Sequence, residues 1–500
     1  LKFPAIRVPL PPAPMPRLLR SDPAAAPRRR RRPQVLAVAG ARAAAAAASA
    51  VLTGLVGASL HAFASAPALW PSFRSAASPA VGRRREGLLP HGRHSARVSA
   101  SATGDEPGGS SSDGVGRVVI LGAGLQGAAL AYYLTLRGIK PLVIERKEVA
   151  AAASGKGGGF LARDWGDTVT SKLHKVSFAL HEELAKTLNI ESYRRIPVLS
   201  VTPGSRSQQT NDICPWLDGD IADSRLMDAD GGAQVAPYEL CTKLMEAAVS
   251  RGAEVRIGVA EGVEMEPESE GLERVTGVVV DGKTVPADKV CLCMGPWAAL
   301  AEDWFGLNVP MTGVKSTSIV FRSDQPVEPY ALFCGEDHRF GTHLEVYPRN
   351  TGEVYLCGIG GSQYIDARML RKGVILPGEV EADPARVEAA TKSFSAMSRR
   401  LGGKPDVVQA CMRPCLPDAR PMMGKVGHVK GAYISAGHNC WGILWAPVSG
   451  LAMSELIIDG QAQCVDLKKF GTGRFSNRGT DGTAGGRGRK MGAVSVGEQW

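Results

Sequence analysis

The stretch from Val118 to Lys147, VVILGAGLQGAALAYYLTLRGIKPLVIERK, decides the fold of this 500-residue chain. Four apolar residues, Val118 to Leu121, lead into glycines spaced G-x-G-x-x-G, and apolar residues then recur at positions 125, 128, 129 and 132. The unbroken apolar run predicts a strand buried on both faces, and the later spacing predicts a helix. A second apolar run ends at Glu145. Together these features predict a dinucleotide-binding βαβ unit.

Each polar or glycine position of this unit has a physical task. Gly122 permits the tight turn, Gly124 lets the backbone approach a pyrophosphate, and Gly127 lets the helix pack against the strand. The first amides of the helix and its dipole point at the phosphates. The carboxylate of Glu145 accepts hydrogen bonds from ribose hydroxyls and repels a 2′-phosphate.

Three further segments favour FAD over NAD as the nucleotide. Residues 150–159 are small and glycine-rich, which suits close backbone contact with a ribityl chain, although a surface loop is the alternative. The segment KVCLCMGPWA (289–298) is a predicted strand followed by a Gly-Pro turn, and it resembles the element that returns to the pyrophosphate region in flavoproteins. The segment YISAGHNCWGILWAPVSGLAMSELI (433–457) reads as a strand, a glycine turn and a long helix whose N-terminus suits the reduced flavin edge.

The remaining pattern predicts the fold class and its domains. Strand and helix alternate in the N-terminal half, and residues 310–360 are strand after strand. We therefore expect an α/β fold in which a Rossmann-like FAD-binding domain carries an inserted antiparallel-sheet (α+β) substrate domain. The predicted parts are a disordered transit peptide (1–98), a linker (99–115), the FAD-binding domain (116–195, 236–305 and 406–468), the substrate domain (196–235 and 306–405) and a disordered tail (469–500).

Charge and cysteine usage limit the possible partners. Residues 1–104 carry a net charge of +14 in a chain of net +10, so the remaining residues carry −4 and we expect no nucleic-acid partner. The Arg-, Ala- and Ser-rich leader is typical of a chloroplast transit peptide, with a mitochondrial address or an untargeted tail as alternatives. The apolar run 43–60 is too weakly hydrophobic for a stable membrane span. The ten cysteines show no zinc-site spacing, so no metal is predicted.

The motifs together resemble the D-amino-acid oxidase/glycine oxidase superfamily of FAD-dependent oxidoreductases. The resemblance is carried by the βαβ unit with Glu145, by ASGKGGGFLA (153–162), and by RPCLPDARPMMG (413–424) followed by GHNCWGILWAPVSG (437–450). It covers residues 117–460 and is strongest toward amino-acid oxidase-like proteins of plants and fungi.

The resemblance implies a set of FAD contacts along the chain. They are Gly122, Ala123, Gly124, Leu125, Gln126, Gly127, Glu145, Arg146, Ser154, Gly155, Gly159, Phe160, Val259 at the end of the strand 254–259, Gly295, Trp297, Gly437, Gly442, Ile443 and Leu444.

The resemblance also places Arg413 where family members hold the substrate carboxylate. A guanidinium suits that role because it can donate two parallel hydrogen bonds, but a structural salt bridge is the alternative. Arg420 is a weaker rival for the same role. No substrate tyrosine can be assigned among positions 330, 347, 355 and 364, and Trp441 would be bulky beside the flavin. His438 is interpreted as a turn residue or flavin neighbour rather than a proton shuttle.

The implied reaction is oxidation of the C–N bond in a small amino acid or amine by hydride transfer to flavin N5, with O2 as the acceptor and H2O2 as the product. Two alternatives stay open from sequence. One is a flavin dehydrogenase that passes electrons from a hydroxy acid or N-methyl substrate to a quinone or carrier. The other is a flavin-binding protein without turnover, serving trafficking or sensing. The sequence does not determine the oligomeric state.

Overall fold

The computed structural model describes residues 114–205 and 214–476. The predicted transit peptide, residues 99–113 of the predicted linker and residues 477–500 of the predicted tail lie outside the described residues.

Twenty-one strands are described. In chain order they are β1 (Val118–Leu121), β2 (Leu142–Glu145), β3 (Phe160–Ala162), β4 (Arg194–Arg195), β5 (Val198–Pro203), β6 (Ile221–Asp228), β7 (Gly232–Gln234), β8 (Glu254–Ile257), β9 (Ala260–Pro267), β10 (Glu273–Val280), β11 (Lys283–Pro286), β12 (Lys289–Leu292), β13 (Thr312–Arg322), β14 (Ala331–Cys334), β15 (Glu345–Pro348), β16 (Glu353–Cys357), β17 (Gln363–Ile365), β18 (Val407–Cys415), β19 (Met422–Lys425), β20 (Val429–Lys430) and β21 (Ala432–Ala436).

The described α-helices are α1 (Leu125–Leu136), α2 (Ala153–Lys156), α3 (Ser171–Thr187), α4 (Pro237–Ser250), α5 (Ala301–Phe305), α6 (Ala367–Arg371), α7 (Pro384–Met397) and α8 (Gly442–Asp459). Short 3-10 helices precede α5 and α8, at Gly295–Leu300 and Asn439–Trp441.

A six-stranded sheet carries the dinucleotide-type half of the fold. Its strand order is β19-β21-β12-β1-β2-β8, and all neighbours are parallel except β19 and β21. The quoted stretch supplies β1, α1 and β2 as predicted, with β1 between β12 and β2. Helices α1, α4 and α8 pack together in one apolar core on this sheet. The predicted α/β class is confirmed.

The glycine turn after β1 explains why this half of the fold can form. Gly122 has a φ of +102°, which favours glycine. A Cβ on Gly127 would lie 1.9 Å from the carbonyl oxygen of Gly122, so any side chain there would push α1 off the strand. The N-terminus of α1 is thereby fixed against the carboxyl end of β1.

An eight-stranded sheet forms the second half of the fold. Its order is β17-β13-β16-β15-β14-β5-β6, and β18 pairs with β13. The predicted antiparallel arrangement holds except that β14 and β5 are parallel. Strand β18 pairs with β13 from Val407 to Cys415, so residues 407–415 belong to this sheet and not, as the predicted boundary has it, to the FAD-binding part. Strand β13 is long and pairs with β16 and β17 as well as with β18. No sequence pattern predicts that β18 pairs with it.

The start of the predicted disordered tail is ordered. Two 3-10 turns, Lys468–Phe470 and Thr472–Phe475, follow α8, and the ring of Phe470 is buried in the core. Arg474 forms an ion pair of 2.9 Å with Asp418. The glycine-rich composition hides these anchors, so the predicted boundary at 469 is wrong for residues 469–476.

Helix α8 is buried by close packing against α1. A Cβ on Gly450 would lie 2.5 Å from the backbone carbon of Ala129, so the two helices meet with almost no side chain between them. The segment Asn439–Asp459 is long and apolar enough to cross a membrane. A window of 18 residues within it has a mean hydropathy of 1.4, but 67% of that window is buried within the fold. A helix buried to this extent is typical of a hydrophobic core.

We expect Gly450→Ala to lower the free energy of unfolding by about 1–3 kcal/mol, because the added methyl group forces α1 and α8 apart. Chemical denaturation of the FAD-loaded protein measures the change. Gly262→Ala is the matched control, since nothing lies within 4 Å of a Cβ built at Gly262. Equal stabilities of the two variants would contradict the close contact.

Candidate active site

A cavity of about 1070 Å³ lies where the two halves of the fold meet. Its walls include the carboxyl ends of four strands of the six-stranded sheet, at Leu121, Ile144, Cys293 and Ala436. Ligands of α/β folds bind at this edge. The opposite wall comes from the eight-stranded sheet and includes Arg413.

Most of the predicted site residues come together around this cavity. Those that line it are Gly122, Gly124, Leu125, Gln126, Glu145, Arg146, Ser154, Gly159, Phe160, Val259, Gly295, Trp297, Arg413, Gly437, Gly442 and Ile443.

Four predicted contacts do not line the cavity. Ala123 is buried, and its N–H donates to Glu145 Oε2 at 2.8 Å. Gly127 packs against the carbonyl of Gly122, and a Cβ on Gly155 would lie 2.3 Å from the carbonyl oxygen of Ala150. Leu444 is buried in the core. The resemblance implies these four contacts, and in the structure the four residues pack behind the residues that line the cavity.

The position of Val259 relative to its strand differs from the prediction. Strand β8 ends at Ile257, so Val259 lies beyond it. The N–H of Val259 donates to Asp281 Oδ1 at 3.0 Å, and its carbonyl accepts from the Asp281 N–H at 3.1 Å. The N–H and the carbonyl of Val259 are therefore bonded to the turn at Asp281, and the contact of this position with adenine stays a prediction.

Two helices begin at the cavity and are joined there. The side-chain amide of Gln126, in the first turn of α1, donates from Nε2 to the carbonyl of Gly442 at the start of α8, at 2.9 Å. The Leu125 N–H donates to Ser154 Oγ at 2.9 Å. The positive ends of both helix dipoles therefore lie at the same cavity.

The start of α8 also depends on a histidine of α3. Pro447 has no N–H, so the carbonyl of Ile443 lacks its usual donor four residues on. His181 replaces that donor, because its Nε2 lies 3.1 Å from the carbonyl oxygens of both Ile443 and Leu444. Nε2 therefore carries the proton. Burial lowers the pKa of His181 to about 4, so the ring is neutral near pH 7.

His438 lines the cavity beside the start of α8. Its Nε2 lies 3.1 Å from Ser449 Oγ, and burial lowers its pKa to about 3. An imidazole with a pKa this far below physiological pH is a weak base and suits a proton shuttle poorly. His438 directly precedes the 3-10 helix at Asn439–Trp441, and its role as a turn residue or flavin neighbour stays a prediction.

Arg413 lies on β18 opposite Val314 of β13. Its Nε donates to Ser316 Oγ at 2.9 Å, which fixes the plane of the guanidinium. The side chain makes no ion pair with any carboxylate in the described part of the chain, so the structural salt bridge considered from sequence is not observed there. Its rival Arg420 lies 3.8 Å from Asp167 and does not line the cavity.

Two of the four candidate tyrosines line the cavity. Tyr347 donates from its hydroxyl to Glu345, and Tyr355 donates to the carbonyl of Lys156 at 3.0 Å. Tyr330 packs against a separate core cluster, and Tyr364 is 44% exposed.

Glu345 also lines the cavity, although the sequence analysis did not single it out. It shares one face of β15 with Tyr347, whereas Val346 between them is fully buried in the core. This alternation is a strand signal. The spacing alone does not reveal which face meets a cavity, which is why Glu345 was missed.

Aromatic rings form a wall near these polar groups. Phe160 stacks on Tyr347 at 5.5 Å between centroids, and it meets Phe333 edge-on at 5.0 Å. Trp165 contacts Phe160 at 5.4 Å and Trp441 at 6.4 Å. All five rings line the cavity, and we call them the aromatic wall. Trp441 is thus part of the lining, held edge-on by its neighbours.

A family model described as DAO, FAD dependent oxidoreductase, matches residues 117–456. The chain belongs to this family. As a member of the DAO family, it is an FAD-dependent oxidoreductase.

Relatives and solved structures agree with the family. An oxidoreductase of Schizosaccharomyces pombe is 26% identical over 385 residues, covering 70% of this chain and 96% of the relative. The glycine oxidase of Geobacillus kaustophilus is 23% identical over 397 residues, covering 71% and 95%. The crystal structure of the Geobacillus kaustophilus enzyme superposes with a TM-score of 0.59 at 19% identity, over 72% of this chain and 98% of that chain, which shows a shared fold.

The cavity of this DAO-family protein fits FAD on its own evidence of shape and polarity. Two buried polar atoms of residues that line it, Gln126 Oε1 and His438 Nδ1, have no hydrogen-bond partner among the described residues. A Cβ on Gly158 would lie 2.6 Å from the Tyr347 ring, so a side chain there would intrude on the packing of the wall. Buried polar atoms of this kind normally have a partner, which a bound dinucleotide can supply.

We expect the protein to lose stability as the pH falls from about 6.5 toward 4, in part through His181. Its folded pKa of about 4 lies below the ordinary 6.5, so the unfolded chain binds a proton in that range that the folded chain does not. The stabilisation is present above pH 6.5, and roughly 1–2 kcal/mol of it is lost at pH 5.

Denaturation curves at a series of pH values measure this dependence. His181→Gln should flatten it between pH 7 and 5, whereas His338→Gln should leave it unchanged because the His338 side chain is 84% exposed. A pH dependence in His181→Gln equal to that of the wild type would contradict the neutral, buried state of His181.

Proposed function

We propose that this protein oxidises the C–N bond of a small amino acid or amine, with O2 as the electron acceptor and H2O2 as a product. The observation that carries the proposal is the guanidinium of Arg413. It faces the same cavity as the dinucleotide turn and makes no ion pair with a described carboxylate. A substrate carboxylate would supply the missing anion.

The relatives support an amino acid as the substrate class. Those named glycine oxidase and sarcosine dehydrogenase act, by name, on small amino acids. An L-amino acid deaminase of Proteus myxofaciens shares the fold, with a TM-score of 0.59 over 74% of this chain.

The residues of this chain would hold and orient the substrate. Arg413 would donate hydrogen bonds to the carboxylate from its two terminal nitrogens, because Nε already donates to Ser316. The aromatic wall excludes water from the reacting carbon. FAD, held by the residues around the Gly122–Gly127 turn, would supply the acceptor for the hydride and the route of the electrons to O2. The lone pair of the neutral amine expels the hydride, so no strong protein base is required, and the resulting imine hydrolyses in water.

The substrate and the electron acceptor are tested together by anaerobic mixing. A panel of D-amino acids, glycine, sarcosine and proline is added to the FAD-loaded protein, and the flavin absorbance is followed. Bleaching followed by rapid reoxidation with O2 supports the oxidase. Slow reoxidation by O2 with fast reoxidation by a quinone would indicate the dehydrogenase, and no bleaching by any compound would leave a flavin-binding protein without turnover.

Arg413→Leu should raise KM for a carboxylate substrate at least tenfold, since a charged hydrogen bond contributes about 1.5–3 kcal/mol. Steady-state kinetics with the best substrate of the panel measures the change. Arg420→Leu is the matched control and should leave KM unchanged, because Arg420 does not line the cavity. A normal KM in Arg413→Leu would remove Arg413 from the site.

A further inference from the structure

Glu345 is a charged side chain of the cavity that the proposed reaction does not use. On β15 it lies opposite Phe333 of β14 and Cys357 of β16. One oxygen, Oε2, accepts from the Tyr347 hydroxyl and from the Cys357 thiol at 3.3 Å. The other, Oε1, has no hydrogen-bond partner among the described residues. Glu345 therefore lines the cavity with one of its two oxygens still able to accept a hydrogen bond.

Arg413 does not neutralise this carboxylate directly. The two side chains line one cavity and influence each other electrostatically, yet they form no ion pair. Burial raises the pKa of Glu345, while the Tyr347 hydrogen bond and Arg413 act in the opposite direction. A carboxylate in such a place is costly unless a cation approaches it. Both groups therefore face the same space, and neither has a direct counter-ion among the described residues.

The aromatic wall adds a second reason to expect a cation beside Glu345. Phe333 is its cross-strand neighbour, and Tyr347 is its hydrogen-bond donor. Phe160 stacks on Tyr347 and contacts Phe333. Aromatic faces attract cationic nitrogens, by about 0.5–2 kcal/mol for each well-placed ring. Carboxylate and rings together suit an ammonium group better than a neutral one.

We infer that the substrate binds in its dipolar form, with its carboxylate on Arg413 and a cationic nitrogen on Glu345 beside the aromatic wall. This nitrogen passes one proton to water before the hydride leaves from the neutral amine. The inference rests on the proposed function for the role of Arg413. It assigns to Glu345 the selection of substrates that carry a cationic nitrogen. It disfavours hydroxy acids, which lack the cation, and simple amines, which lack the carboxylate.

A pair of non-reacting ligands tests the cation site apart from turnover. Glycine betaine and tert-butylacetate have the same shape and the same carboxylate, but only betaine carries a positive nitrogen. Isothermal titration calorimetry with the FAD-loaded protein should show betaine binding at least about tenfold more tightly, a difference of 1.4 kcal/mol. Glu345→Gln should abolish the preference while leaving tert-butylacetate binding unchanged.

Glu336→Gln is the matched control, because the Glu336 side chain is 60% exposed and outside the cavity, and it should keep the preference. Arg413→Leu should weaken both ligands alike. Equal binding of the two ligands to the wild type, no binding of either, or a preference that survives in Glu345→Gln would overturn the inference. A betaine preference in a protein whose flavin no amino acid reduces would instead refute the proposed function and keep the cation site.

Discussion

The backbone contact between Gly122 and Gly127 is the constraint on which the site depends. It allows no side chain between the turn after β1 and the first turn of α1. The N-terminus of α1 therefore lies at the carboxyl end of the parallel sheet, where Gln126 reaches the start of α8. Because α8 in turn packs on α1 at Gly450, the two helix N-termini at the cavity are held as one unit.

The second half of the fold brings the substrate-type groups to this unit. Strand β18 pairs along β13 and places Arg413 where Ser316 can fix its plane. The neighbouring strands β14, β15 and β16 bring Phe333, Glu345 and Cys357 side by side. The mostly parallel six-stranded sheet thus supplies the end of the cavity suited to a cofactor, and the mostly antiparallel eight-stranded sheet supplies the charged and aromatic end.

Local signals in the sequence predicted the first half of this site well. The strand, turn, helix and acid of 118–145 interact over short distances along the chain, so periodicity and glycine spacing were sufficient. Contacts between distant segments were not accessible in the same way. The membership of β18 in the large sheet and the position of Glu345 opposite Phe333 depend on strand register, which spacing does not specify.

Two features lie beyond what a sequence pattern can show. The backbone of Val259 is bonded to Asp281, 22 residues further along the chain, and its contact with FAD stays a prediction. The ordered start of the tail depends on the pairing of Arg474 with Asp418, which a glycine-rich composition conceals. Individual side chains, rather than patterns, decide both features.

The central claim is that one cavity holds FAD against the N-terminus of α1 and a substrate carboxylate on Arg413. A crystal structure of the FAD-loaded protein with a bound carboxylate, such as glycine betaine, tests it most directly. We predict the pyrophosphate at the Gly122–Gly127 turn and the ligand carboxylate on the guanidinium of Arg413. A dinucleotide bound elsewhere, or a ligand carboxylate held by another cation, would contradict the account.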